Sequence, residues 1–176
     1  MELPGSGYLY TVATLSMTFA GFCAIVIVLR QSIGKKIAGF HVVLTRLYLE
    51  SGLWAAAFAM LPALLAICGL PHATACRASS MIIAIVMVTY GATYPARRRA
   101  MMVEPLPRAR WLSIAAMSAL VIVGLVGNAA GVPIEPGVGA IAFAATWTLA
   151  CGATIFVLAL NSLWEVNDRS QGSSAR

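Results

Sequence analysis

Arg46 and Glu50 stand four residues apart in the stretch FHVVLTRLYLESGLW. On a helix they share one face, one turn apart. A base and an acid at that spacing beside an apolar stretch can do one of two things. They can form a pair at the level of the lipid headgroups, with Arg46 reaching out to phosphate. Or they can face a bundle interior, where ionisable groups are costly unless paired and mark an ion or substrate path. His41, further toward the same end, would then stand near the mouth of that path. If the helix begins near Gly39, Arg46 lies about 10 Å and Glu50 about 16 Å inside its start, at roughly 1.5 Å per residue. The uncharged run 51–70 already suffices to cross a bilayer, so the simpler placement keeps 39–50 at or below the headgroups. Asn161 and Glu165 repeat the four-residue spacing around Trp164, an arrangement suited to an interfacial anchor. Pairing of Arg46 with Glu165 would instead clamp two helices at one end.

The second group is CGLPHATAC, which spaces Cys68, His72 and Cys76 evenly. Three readings compete: unligated residues, a disulfide between Cys68 and Cys76 in an oxidising compartment, and a metal site. A structural zinc site takes four ligands, and this segment offers no fourth. Unligated residues rank first, the disulfide second and the metal last. Cys23 and Cys151 lie in apolar runs, where a free thiol behaves as a small hydrophobe. Nothing matches the zinc-protease, nucleophile-elbow, phosphate-loop or haem signatures. We therefore expect no catalytic centre, no metal and no cofactor, and a protein that is not an enzyme.

The elements that would position these residues follow from composition. The chain has 176 residues, 60 % of them hydrophobic and 10 % charged, with a net charge of +6. That is more apolar than a soluble domain and carries under half the usual charged share. The composition excludes a soluble enzyme, a disulfide scaffold and a disordered protein. The apolar residues fall in five blocks, 8–29, 39–70, 79–96, 111–132 and 137–164, each long enough for a bilayer core of about 30 Å. The expected fold is an all-α membrane protein, one domain over residues 1–166, with a polar, disordered cytoplasmic tail at 167–176. No basic leader precedes the first block, so it is expected to remain in the mature protein.

Charge sets the orientation. Arg30, Lys35, Lys36, Arg97, Arg98, Arg99, Arg108, Arg110, Arg169 and Arg176 fall on one side of a five-span chain, and only Arg77 on the other. The positive-inside rule then places the N-terminus outside and the C-terminus in the cytoplasm. Clustering next to apolar spans, rather than over a face with stacking aromatics, argues for anionic headgroups as partner and against nucleic acid. Arg97, Arg98, Arg99, Arg108 and Arg110 form the densest lipid- or partner-facing patch. Pro105 and Pro107 stop either neighbouring helix from running through it.

Small residues mark helix contacts in lipid. Ser16, Ala20 and Ala24 recur every four residues in the first span, and Gly127 and Gly131 form a GxxxG in the fourth. These faces serve either packing within the chain or a homo-oligomer. Thr11, Thr14 and Thr18 share one stripe, which either lines a wet path or is satisfied by carbonyls one turn back. Pro62 removes one backbone donor from the second span and should kink it. The short turn GVPIEPG makes spans four and five antiparallel neighbours.

Two segments carry a resemblance. Phe19 to Phe22 in the first span, followed by Arg46, Leu47, Glu50, Ser51, Phe58, Leu61 and Pro62 in the second, resemble a loose group of small bacterial polytopic membrane proteins of unassigned function. The resemblance covers about the first 65 residues. It implies a bacterial inner-membrane location and no activity, cofactor or substrate. Two roles fit the whole sequence: a homo-oligomeric channel or pore, or a non-catalytic accessory or anchoring subunit of a larger membrane complex.

Overall fold

The computed structural model of the protein describes residues 5–32, 39–100, 108–132 and 135–174. The described residues form five helices and no strand: α1 (Ser6–Ser32), α2 (Gly39–Ile67), α3 (His72–Ala100), α4 (Arg108–Ala130) and α5 (Gly139–Ser174). Each contains an apolar stretch long enough to cross a membrane: Ser6–Val26, Leu47–Ile67, His72–Tyr94, Leu112–Ala130 and Gly139–Val157.

Two boundaries differ from the sequence reading by more than four residues, for identifiable reasons. The third helix begins at His72, seven residues before the expected 79, because Pro71 starts a helix here as well as ending the turn before it. Its carbonyl accepts the Ala75 amide at 2.9 Å, and a proline at a helix start forfeits only a donor that would be orphaned anyway. Residues 167–174, expected as disordered tail, continue α5. They contain no proline, and extending an existing helix is far easier than nucleating one.

Packing divides the five helices unequally. α2 is the hub, set most extensively against α5 and α1 and more lightly against α3, while α4 touches only α3 and α5. Accordingly 39 % of the apolar stretch of α2 is buried and only 11 % of that of α4. The core is built mainly of small and branched residues from all five helices: Val12 and Ala13, Phe58 and Ala59, Ile83 and Ala84, Val121 and Leu125, Ala144 and Ala145. In lipid there is no hydrophobic force between helices, so close backbone approach must hold them. Two glycines show how close. A Cβ on Gly52 would stand 3.3 Å from the Ser16 carbonyl oxygen of α1, and one on Gly152 would stand 2.8 Å from Cβ of Ser51 in α2. Pro62 is fully buried within α2.

The ends of α2 and α4 close in the same way. Gly69 and Gly131 adopt positive φ, 91° and 75°. Beyond them Leu70 donates to the Leu65 carbonyl at 3.2 Å and Val132 to the Gly127 carbonyl at 3.0 Å. This is the Schellman arrangement, in which a left-handed residue lets the chain turn back and satisfy the last carbonyls. Both turns lie at one end of the bundle, called here the turn end. Arg97, Arg98 and Arg99 near the end of α3 and Arg108 and Arg110 at the start of α4 lie at the other, the basic end, whereas Arg77, in the second turn of α3, belongs to the turn end.

Candidate functional site

Toward the basic end, Glu50 is half-buried and accepts a hydrogen bond from the Tyr90 hydroxyl of α3 at 3.4 Å. It is the only acidic residue in the five apolar stretches. By length and composition, the apolar stretch of α2 among the described residues runs over Leu47–Ile67 and takes in Glu50. Arg46 falls one residue before it. The side chains of Arg46 and His41, like those of Asn161, Trp164 and Glu165, lie outside the described residues.

Around Glu50 the three helices α1, α2 and α5 meet through rings. Phe156 of α5 takes edge-on contacts from Phe19, Phe22 and Tyr48, with centroids at 5.8, 6.0 and 5.2 Å. Edge-to-face pairs of this kind add to area burial and fix ring orientation. Ser51, next to Glu50, donates to the Leu47 carbonyl at 2.8 Å and lies against Gly152. The Glu50 carboxylate thus projects from a helix packed against α1 and α5 and accepts from Tyr90 of α3.

At the turn end a different polar group does the joining. Asn128 Nδ2 donates to Ser80 Oγ at 2.7 Å and to the Gly137 carbonyl at 2.9 Å, and Asn128 Oδ1 accepts the Gly137 amide at 3.0 Å. One amide thus pairs with both backbone groups of Gly137, as a neighbouring strand would, and ties α4 to α3 at once. Beside it lies a depression of about 290 Å³ lined by Gly124, Asn128, Val132, Glu135, Gly139 and Ala140 among others. Glu135 is the one charged side chain among its lining residues.

The remaining candidates separate clearly. Ser16 and Ala20 are buried on the α1 face that meets Gly52, while Ala24 is half-buried further along. Gly127 and Gly131 belong to the cap of α4: a Cβ on Gly127 would stand 2.9 Å from the Val132 carbonyl oxygen, and one on Gly131 would stand 3.1 Å from an Arg77 guanidinium nitrogen. Thr11, Thr14 and Thr18 are exposed, each donating at 2.9 Å to the carbonyl four residues back. Of the readings for Cys68 and Cys76, the structure has the unbridged one, with all four cysteines as free thiols. Cys76 is turned into the core from the second turn of α3, whereas Cys68 is exposed past the end of α2. Arg97, Arg98 and Arg99 end α3, and Arg108 and Arg110 begin α4; their side chains lie outside the described residues.

Sequence reasoning overlooked Asn128, Tyr90 and the contacts that join helices through hydroxyls. The Tyr8 hydroxyl meets Thr146 Oγ1 at 2.8 Å, and Trp147 Nε1 donates to Ser118 Oγ at 3.2 Å. Asn128 did carry a signal, as the only asparagine within the five apolar stretches. No protein-family model, no curated protein and no solved structure matches the chain.

Proposed function

We propose that the protein is a multi-pass protein of the bacterial inner membrane, N-terminus outside and C-terminus in the cytoplasm, that acts as a homo-oligomeric channel or pore. The observation that supports this reading is Glu50, an acidic side chain kept inside an apolar span and only half-buried there. A charge at such a position is expensive, and ionisable residues within spans mark ion or substrate paths. The path, with Glu50 on it and Arg46 and His41 toward its cytoplasmic mouth, is formed between copies rather than within one. Thr11, Thr14, Thr18, Thr89, Thr93, Thr146, Thr148 and Thr154 spend their hydroxyls on carbonyls of their own helices, which leaves little to line a route through a single chain. The thinly covered helix α4 is the surface offered to a second copy.

The orientation rests on the Lys and Arg distribution. A second reading, an accessory or anchoring subunit, is favoured by the arginines that gather where α3 ends and α4 begins, a surface suited to anionic headgroups or to an acidic partner. Light scattering on the detergent-purified protein, combined with ion flux in liposomes, separates the two. The channel reading expects a symmetric multiple of 18.5 kDa and flux that falls when Glu50→Gln is introduced into a folded assembly. A monomer that co-purifies with other membrane proteins and conducts nothing supports the subunit reading.

A further inference from the structure

At the turn end, the first two helical turns of α3 bring together two side chains that the functional reading leaves unused. His72, the first residue of the helix, is exposed. Cys76, four residues on, is fully buried in the core cluster with Leu9 and Ile83. The Cys76 sulfur stands 3.8 Å from His72 Nδ1. We propose that His72 and Cys76 form a two-ligand site for a soft monovalent cation of the copper(I) or silver(I) class.

Three considerations carry it. The first is distance. An ion bound at zinc-like lengths of roughly 2.3 Å to sulfur and 2.0 Å to nitrogen spans the present 3.8 Å at a bond angle of about 120°. Opening the pair by about half an ångström makes it linear at the same lengths. The exposed imidazole has room to make that movement. The second is ligand type. Thiolate sulfur and imidazole both suit copper(I), and they suit zinc too, so ligand type admits the soft ion and charge must choose between the two.

The third is charge. Cys76 must lose its thiol proton to bind, and that proton leaves to water on the exposed His72 side. A thiolate and a monovalent ion then sum to zero, and neutral imidazole adds nothing, so the complex places no net charge against apolar neighbours. A divalent ion would leave one uncompensated positive charge and two vacant coordination positions. No group of three or more ligating side chains comes together among the described residues. A two-coordinate ion needs no third, which removes the objection raised by the missing fourth ligand. Cys68, exposed beyond the end of α2, is not part of this site. The inference is independent of orientation and of assembly.

The test titrates the detergent-purified protein, kept reduced and free of oxygen, against copper(I) held by bicinchoninate. The native chain is expected to withdraw one copper(I) ion. His72→Ala is expected to weaken uptake by roughly tenfold or more, since loss of a mere outer-shell partner already costs 10–100-fold. His72→Met, which supplies a thioether, should recover most of it, and Cys68→Ser should bind as the native chain does. Because His72 is exposed, an unchanged thermal midpoint without metal confirms that His72→Ala is folded, and the result does not depend on a substitution at the buried Cys76. Equal uptake by the native chain and His72→Ala overturns the proposal. So does loss of uptake in Cys68→Ser with retention in His72→Ala. Zinc held in preference to copper(I) overturns the monovalent assignment.

Discussion

Asn128 makes three hydrogen bonds from one side chain, and no other described residue links two helices and a turn in this way. Interhelical hydrogen bonds in membranes average about 0.6 kcal/mol, so Asn128→Ala should lower stability by about 2 kcal/mol, measured by denaturing-detergent titration. Asn128→Asp can still accept from the Gly137 amide and from the Ser80 hydroxyl, but it has no donor for the Gly137 carbonyl and sets a carboxylate against it, so it is expected to lose about as much. A near-neutral alanine variant would show that the turn holds without it. The contact between Glu50 and Tyr90 is longer, at 3.4 Å. Tyr90→Phe should therefore cost under about 1 kcal/mol, and a cycle with Glu50→Gln should give a coupling no larger than that. Glu50 was legible in the sequence because an acid stands out in an apolar run. Its partner was not, since Tyr90 lies forty positions away and only tertiary packing brings the two together. Asn128 escaped for a related reason: its partners are the backbone of Gly137 and a serine on another helix, and neither carries a mark in the sequence.

Between helices, space decides what a side chain can be. The Gly152 position admits no Cβ without displacing Ser51, so Gly152→Ala should destabilise the α2–α5 contact by about 1–3 kcal/mol. Gly91 has nothing within 4 Å of the same hypothetical atom. Gly91→Ala should raise stability by about 0.5–1 kcal/mol by removing backbone freedom from the unfolded chain. Opposite signs for one chemical change in two helices, read as thermal midpoints in the same detergent, would separate close approach from helix propensity. Gly131→Ala forces a Cβ into the left-handed region and should cost about 1–2 kcal/mol. All five helices were legible in the sequence, because blocks of about 20 apolar residues have few other uses. The start of α3 was not, because HATACRAS reads as a polar connection. Only the bond from Ala75 to Pro71 reveals that it is already helix. The GxxxG of α4 was legible as a motif but ambiguous in role, since the same spacing serves a helix crossing and a Schellman cap.

For the molecule as a whole, the orientation makes a direct expectation. In a cysteine-free background, Met101→Cys should react with a membrane-impermeant maleimide only after the cytoplasmic face is opened. Labelling from outside in whole cells would reverse the orientation and every depth assigned from it. The architecture also has a consequence for how the protein is made. The helix that packs most extensively against α2 is α5, the last of the five in sequence, and the same helix joins the start of α1 through Tyr8 and Thr146. During synthesis α1 and α2 enter the bilayer long before α5 leaves the ribosome. Until then Ser51 and the rings that await Phe156 face lipid or the insertion machinery. The chain must therefore be held as an open intermediate whose seam is closed only by its final span, and ribosomes stalled before Gly139 should yield a product that membrane quality-control proteases degrade faster than the finished protein.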